Sequence, residues 1–390
     1  MPAKPSRTDP VHPPRPYSGV RILDLTRQFG LFAGRLFADL GAEVILVEPP
    51  EGLGDRRNDT GGDFARFAFL NASKKSIVID VNAPGGRAAL ERLVARSDVV
   101  LIERGGPLWG ETRQIAALQP RAVVTAVSPF GMTGPMADAP ASDLVLQAAG
   151  GIAWMSGRIE DAPLSLPFDQ ATMVGSIYAA TVTAIALVDA ERTGRGHVID
   201  VSIQECIAHS LQNAVQVWDL ENRISIRGGA GTRDATEDIF SCRDGYVFLA
   251  SPLSLGPSWR SLVAWMTEIG HPSGAALFAE KWSSREWRLT AEARAEFREL
   301  FTAFALNHDK ETLTREALAR RIVMGPVNRL SETLDDPQLA FRHFYRSMAL
   351  PDGQVVAFPG PPYKLSPEAW AVSPAPALGS ANAELKEVAG

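Results

Sequence analysis

The stretch from Val20 to Val47 constrains the fold more than any other part of the chain. Val20 to Leu25 (VRILDL) is an apolar run of strand length. Phe29, Phe32, Ala33, Leu36, Phe37 and Leu40 follow at spacings of three and four, the period of an amphipathic helix. Gly41 supplies a helix stop, and Val44 to Val47 (VILV) is a second apolar run. Two buried strands joined through a helix read as a parallel pair, since parallel strands need a crossover of about a dozen residues or more.

The alternation continues. Ser76 to Val81 reads as a strand, Pro84 opens a helix to about Arg96, and Val99 to Ile102 and Val123 to Val127 are further strands. Strands interleaved with helices predict a doubly wound, Rossmann-like α/β domain. From Asp143 to about Glu191 the chain is helical and rich in small residues. His197 to Ile203 then reads as a strand and Gln204 to Leu220 as a helix.

After that the pattern changes. Arg227 to Arg233 is glycine-rich, and Tyr246 to Ala250 is a strand behind the Asp244-Gly245 turn. Leu255 to Arg321 is helical, and Trp259, Trp265, Trp282 and Trp287 within it read as core. A chain of 390 residues exceeds what one hydrophobic core usually holds. The organisation expected is a flexible proline-rich leader (1–17), a large α/β domain (18–224), a smaller α+β domain (225–330) and a C-terminal segment (331–390) returning to the large domain.

Composition narrows the function. A net charge of -6 lacks the basic excess of a nucleic-acid binder. Two cysteines, Cys206 and Cys242, fit free thiols in a reducing compartment. No apolar run of the roughly 18 residues that span a bilayer is evident, so a cytoplasmic location is expected. None of the six histidines lies three or four residues from another, so no metal site is expected. The βαβ opening invites a dinucleotide, with Glu48 where a ribose-binding acid would stand. The turn Thr26-Arg27-Gln28-Phe29-Gly30 lacks GxGxxG, however, and Glu48 then reads as a solvated strand end. Neither a GxSxG elbow nor a GxxxxGK phosphate loop occurs.

What remains is Asp169, in Pro163-Leu164-Ser165-Leu166-Pro167-Phe168-Asp169-Gln170-Ala171, before a small-residue helix. Near a helix N-terminus the backbone N–H groups favour the ionised carboxylate. Two roles fit: an N-cap, for which Asp is a preferred residue, or a nucleophile.

A set of ordered anchors bears on that choice. They are Gly19 to Thr26 (GVRILDLT), Ala38 to Ile45 (ADLGAEVI) with Val47 to Pro50 (VEPP), and Asn71 to Asp80 (NASKKSIVID). Phe130 to Pro135 (FGMTGP), Asp143 to Gln147, Thr193 to Gly196 (TGRG) with Val198 to Ser202, Gly325 to Asn328 (GPVN) and Asp335 to Gln338 (DDPQ) follow. On these anchors the chain resembles the family III CoA-transferases from Gly19 to Leu385, a family that also holds acyl-CoA racemases.

The resemblance implies that Asp169 attacks the thioester of an acyl-CoA, and that coenzyme A thioesters and carboxylic acids are the substrates, without a metal or prosthetic group. It implies that Lys74 and Lys75 lie near the nucleotide, with Arg56 and Arg57 as further candidates, and that the loop holding Gln28 and Phe29 meets CoA. Gly228, Gly229 and Gly231 would form a glycine loop that shields the intermediates. The assembly implied is an interlocked homodimer, or a hetero-oligomer with a homologous subunit. Three departures stand out. The family's LAGP is here Phe29-Gly30-Leu31; its VENFRPG is Ile102 to Leu108 (IERGGPL), where Arg104 is left to stack or bind phosphate; its LGEH is Leu378 to Ala381 (LGSA). A racemase would carry a histidine where Ser142 stands. A non-catalytic subunit is the other alternative.

Overall fold

Six strands, β1 (Arg21–Asp24), β2 (Glu43–Glu48), β3 (Lys75–Val78), β4 (Val99–Glu103), β5 (Val123–Ser128) and β6 (Val198–Ser202), form one parallel sheet in the order β3-β2-β1-β4-β5-β6. The computed structural model describes residues 15–56, 63–158, 160–211, 214–227, 233–350 and 353–385. Two compact units divide the chain. One runs to Ser156, from Leu164 to Arg223 and from His343 onward; the other comprises Gly157–Pro163 and Ile224–Arg342.

In the first unit the sheet is covered on both faces, which is why its strands read as nearly continuous apolar runs. Helices α1 (Leu31–Asp39), α2 (Phe64–Leu70), α3 (Gly86–Val94), α4 (Thr112–Leu118), α5 (Asp143–Ala149), α6 (Ile152–Met155), α7 (Gln170–Thr193), α8 (Ile203–Ser210) and α9 (Ala214–Glu221) belong to it. Alternate strand residues face opposite sides. Ile22, Val44, Val99 and Leu101 pack with Phe37 of α1, Ala179 of α7 and Ile207 of α8. Leu23, Ile45, Val100 and Ile102 pack with Leu90 of α3 and Ile115 of α4. The helix predicted over Gln204 to Leu220 is two, α8 and α9.

Helix α7 corrects one expectation. Its mean hydropathy reaches 1.8, so by length and composition it could cross a bilayer. Half of that stretch is buried, through small residues such as Gly175, Ser176, Ala179 and Thr183. Small side chains on a helix allow close packing: the Thr183 hydroxyl lies 2.7 Å from that of Thr125 in β5, and the Ser176 hydroxyl donates to the Phe29 carbonyl of the β1–α1 loop at 2.7 Å.

In the second unit β7 (Asp238–Cys242), β8 (Gly245–Ala250) and β9 (Val323–Val327) form an antiparallel sheet in that order. It packs with α10 (Gly256–Glu268), α11 (Pro272–Leu277), α12 (Arg285–Arg288), α13 (Ala291–Ala305) and α14 (Lys310–Ala319), and α15 (Pro337–Phe341) follows. Strand β9 (VMGPV) escaped the sequence reading because Gly and Pro disrupt a strand pattern; an edge position tolerates both. Trp265 and Trp282 are core, with Trp259 and Trp287 against it. The unit extends past the expected boundary at 330, held by an ion pair of Lys310 with Glu332 at 2.7 Å.

From His343 the chain adds to the first unit, including the hairpin β10 (Tyr345–Ala349) and β11 (Val355–Pro359). Phe358 of β11 lies 4.7 Å from the Arg35 guanidinium of α1, which also pairs with Asp39. The Leu378–Ala381 segment lines the edge strand: Gly379 N–H donates to Ser76 Oγ at 3.0 Å and Ala381 N–H to the Ser76 carbonyl at 2.9 Å.

The Thr193-Gly194-Arg195-Gly196 turn shows what its two glycines do. Gly194 ends α7 at φ +72°, while a Cβ on Gly196 would stand 1.9 Å from the Ala122 carbonyl oxygen. Gly194→Ala is expected to cost about 1 kcal/mol from left-handed backbone strain. Gly196→Ala is expected to cost more than about 2 kcal/mol, because backbone must move. Urea denaturation of both variants checks the order.

Candidate active site

The strand order reverses between β1 and β4, and in doubly wound sheets ligands bind outside the carboxyl ends of the strands at that point. Here the two bordering loops are tied together by one side chain. Glu103, at the end of β4, is buried, and its Oε2 accepts from the backbone N–H groups of Arg27 (3.1 Å), Gln28 (3.0 Å), Phe29 (2.6 Å) and Gly30 (3.1 Å). Burial pushes the Glu103 carboxyl above its usual range, and the amide donors oppose that rise.

Two cavities flank the loop so fixed. One, of about 280 Å³, is lined by Arg27, Gln28, Phe29 and Glu103 on one side and by Arg104, Pro129 and Pro140 on the other. Arg104 is held at its rim, its Nε donating to the Ala137 carbonyl at 3.0 Å. The other, of about 400 Å³, shares Arg27 and Gln28 and adds Leu31, Asp55, Arg66, Phe67 and Asp169. Burial lowers the Arg27 pKa, offset by Glu103 and nearby acids.

Asp169 occupies the N-cap position of α7, yet its side chain makes no capping hydrogen bond. Asp143 does that work: its Oδ1 accepts from the Thr172 N–H at 2.7 Å, while its Oδ2 accepts from Gln147 Nε2 at 2.7 Å. Gln147 in turn accepts from the Leu166 N–H at 2.7 Å, which shapes the approach to Asp169. Phe168, at φ +60° and 77% exposed, turns the chain just before it. Left-handed backbone at a non-glycine residue is uncommon and concentrates at functional turns. The Asp169 carboxylate is thereby left to pair with Arg66, whose Nε donates to it while Nη1 donates to Asp55. Burial works against the Arg66 cation, but the two carboxylates outweigh it and hold its pKa above the ordinary arginine value.

The CoA-transferase family III pattern covers residues 17–382. The chain belongs to the family III CoA-transferases. It is 32% identical over 383 residues to the succinyl-CoA:(R)-benzylsuccinate CoA-transferase subunit BbsE of Thauera aromatica, covering 95% of this chain and 93% of that one. It is 30% identical to the succinyl-CoA–D-citramalate CoA-transferase of Chloroflexus aurantiacus, over 96% and 94% of the two chains. Among solved structures, a CaiB/BaiF family protein from Brucella suis matches with a TM-score of 0.85 and 25% identity, over 96% of this chain and 100% of that one. As a family III CoA-transferase the chain is an enzyme that uses CoA thioesters as substrates.

Against this family's expectations the candidate residues divide. Gln28, Phe29 and Arg104 meet at the smaller cavity, and Gln28 and Asp169 at the larger. The basic pair does not join them. The Lys74 ammonium is buried and donates to Asp24 Oδ2 (2.8 Å), the Leu31 carbonyl (2.7 Å) and Asn71 Oδ1 (2.9 Å), which uses all three of its donors. Burial lowers the pKa of this ammonium, with Asp24 opposing. Lys75 opens β3, at the amino end of the sheet rather than at the carboxyl-end crevice, and pairs with Glu43 (2.6 Å) and Glu384 (2.7 Å). Arg56 is bonded to Glu48 and to the Pro376 carbonyl (2.8 Å), and its guanidinium lies 4.1 Å from the Phe67 ring. Glu48 is therefore a buried ion-pair partner rather than a solvated strand end. Arg57, Gly228, Gly229 and Gly231 lie outside the described residues. Among the described residues there is no cluster of three or more His, Cys, Asp or Glu side chains able to hold a metal.

Arg27, Asp55, Arg66 and the loop-binding role of Glu103 escaped the sequence reading. Arg66 stands 103 residues from Asp169 in the chain, and no local pattern joins them. The division of labour between the two aspartates is testable by stability. Asp143→Ala is expected to cost about 1–2 kcal/mol, the loss of a helix cap. Asp169→Ala is expected to cost less than about half of that, because its carboxylate caps nothing. Paired chemical denaturation curves measure both.

Proposed function

We propose that this chain transfers CoA from an acyl-CoA to a carboxylic acid with Asp169 as the covalent nucleophile. The observation that carries the reading is the Asp169 carboxylate at the N-cap position of α7, relieved of capping by Asp143 and facing a cavity of about 400 Å³. In the first step an Asp169 oxygen attacks the thioester carbonyl, and the carbon–sulfur bond breaks to give an acyl-aspartyl anhydride and CoA thiolate. The thiolate then attacks the aspartyl carbonyl and expels the free acid, leaving an enzyme–CoA thioester. The acceptor carboxylate reverses these steps and departs as the new thioester. A carboxylate suits this role because its anhydride keeps the acyl group activated.

CoA takes the switch-point crevice in this reading. Gln28 and Phe29 offer the loop, and Arg104 and Arg27 the cations for phosphate. Succinyl-CoA is the donor to test first, since relatives named for succinyl-CoA act on benzylsuccinate and D-citramalate. The racemase alternative lacks its base: Ser142 caps α5, its Oγ accepting from the Val145 N–H. A cytoplasmic location accords with two free, buried thiols.

Assembly belongs to the same reading. α7 and α9 expose Ile185 (66%), Val188 (67%), Val215 (65%) and Leu220 (80%), the kind of apolar surface that marks a subunit interface. A homodimer, interlocked as in the family, would cover it. The Thauera aromatica relative is named as a subunit, which favours a second arrangement with a homologous partner chain. Sedimentation of the pure chain at micromolar concentration is expected to give a dimer; a folded monomer would argue for the hetero-oligomer.

The catalytic test is Asp169→Asn. The shape is kept but the nucleophile is lost, so turnover is expected to fall by about four orders of magnitude or more with little change in stability. Intact-mass spectrometry after incubation with succinyl-CoA is expected to show the CoA adduct on the natural chain and none on the variant. Near-normal turnover by Asp169→Asn, with deamidation excluded by mass, would sink the assignment.

A further inference from the structure

The larger cavity holds four charged side chains, Arg27, Asp55, Arg66 and Asp169, and their formal charges cancel. That balance does not survive the proposed reaction. When Asp169 becomes a thioester its negative charge is gone, and the cavity carries one uncompensated positive charge. Arg66 is the cation that loses a partner, since its Nε is the group bonded to Asp169. It stays in place through Nη1 and Asp55, and its side chain is only 20% exposed, so water screens it poorly.

We propose that Arg66 is the carboxylate-binding residue for the acceptor acid, passing from Asp169 to the incoming carboxylate once Asp169 is esterified. This rests on the reading of Asp169 as the nucleophile. The acceptor must bring one carboxylate oxygen to the Asp169 carbonyl carbon. The arginine that held the Asp169 oxygen sits where the acceptor's second oxygen arrives. The acceptor oxygen forms the bond to the aspartyl carbon and the carbon–sulfur bond breaks. CoA thiolate leaves, and an anhydride joins Asp169 to the acceptor. When the thiolate attacks the acceptor carbonyl of that anhydride, Asp169 is expelled as a carboxylate and returns to Arg66. The arginine therefore alternates between two carboxylates and favours ionised acids over neutral nucleophiles such as water or alcohols.

Asp55 gives the proposal an opposite-sign test. It competes for the same guanidinium, so removing its charge should strengthen acceptor binding, whereas removing Arg66 should weaken it. A merely structural role for this ion-pair cluster would make both changes harmful. The experiment isolates the second half-reaction. Enzyme is loaded with succinyl-CoA, freed of small molecules by gel filtration, and mixed with increasing succinate; loss of the CoA adduct is followed by quenched intact-mass spectrometry. Arg66→Gln is expected to raise the half-saturating acid concentration about 10- to 100-fold, the loss of a charge-assisted bond. Loading from succinyl-CoA, the reverse of this step, is expected to slow as well, so the variant is loaded to a constant adduct mass before the acid is added. Arg66→Lys is expected to recover part of this loss, and Asp55→Asn to lower the half-saturating concentration about threefold or more. Unchanged acid dependence in Arg66→Gln, or weaker acid binding in Asp55→Asn, overturns the proposal. If Arg66→Gln does not fold, the Asp55→Asn result decides it. Absence of any adduct on the natural chain removes the Asp169 reading itself, an outcome distinct from an adduct that Arg66 does not influence.

Discussion

Glu103 and the four successive N–H groups of Arg27 to Gly30 form the contact on which the rest of the site depends. A buried carboxylate is costly unless hydrogen bonds repay its desolvation, and successive amides at the start of α1 supply them. The contact joins the loops after β1 and β4, which border the point where strand order reverses. It also decides what can bind. In a dinucleotide fold these amides would cradle a pyrophosphate at the helix N-terminus. Here a protein carboxylate already saturates them, and the side chains of Arg27 and Gln28 are turned to two cavities instead. The missing GxGxxG and the buried Glu103 are two views of one arrangement.

Charge is managed in the same way throughout the first unit. Lys74 is matched to Asp24, Arg35 to Asp39 and Arg56 to Glu48. These cations are part of the architecture; for the two buried ones, Lys74 and Arg35, removing the partner would strand the charge at a cost of about 3–5 kcal/mol. What faces the cavities is a shorter set: Arg27, Arg104 and Arg66, of which Arg66 is paired with Asp55 and Asp169. Position, buried inside the unit or facing a cavity, separates structural basic residues from candidate binding ones, and it is invisible without three-dimensional neighbours.

The legible part of the chain was the part governed by local period. The run from Val20 to Val47 specifies β1, α1 and β2 because buried parallel strands are apolar on both faces and the helix repeats its apolar side. Strand β9 was not legible, since its Gly325 and Pro326 contradict strand propensity and only an edge position accommodates them. In the site, Asp169 could be singled out by its place before a small-residue helix, but its two possible roles could not be separated. The side chains that bear on the choice lie 26 and 103 residues away in sequence (169 − 143; 169 − 66): Asp143 takes the cap at Thr172 and Arg66 pairs with Asp169, both only through the fold. The two lysines part for a related reason: Lys75 opens β3 and pairs with Glu43 and Glu384 at the surface, while Lys74 just before it is buried and bonded to Asp24.

On the proposed reading of Asp169, the pairing of Asp143 with Thr172 also explains how a helix N-terminus can serve a nucleophilic carboxylate. An aspartate that caps its own helix has an oxygen committed to backbone N–H groups, so attack by that oxygen would require breaking the cap and exposing helix donors. Delegating the cap to a neighbouring helix removes that penalty. Phe168 precedes Asp169 at φ +60°, the Asp169 carboxylate makes no capping bond, and Arg66 pairs with it at the cavity. The proposed role of Asp169 asks for that freedom, since a covalent carrier of acyl and CoA groups has to leave one cation, form a bond and return.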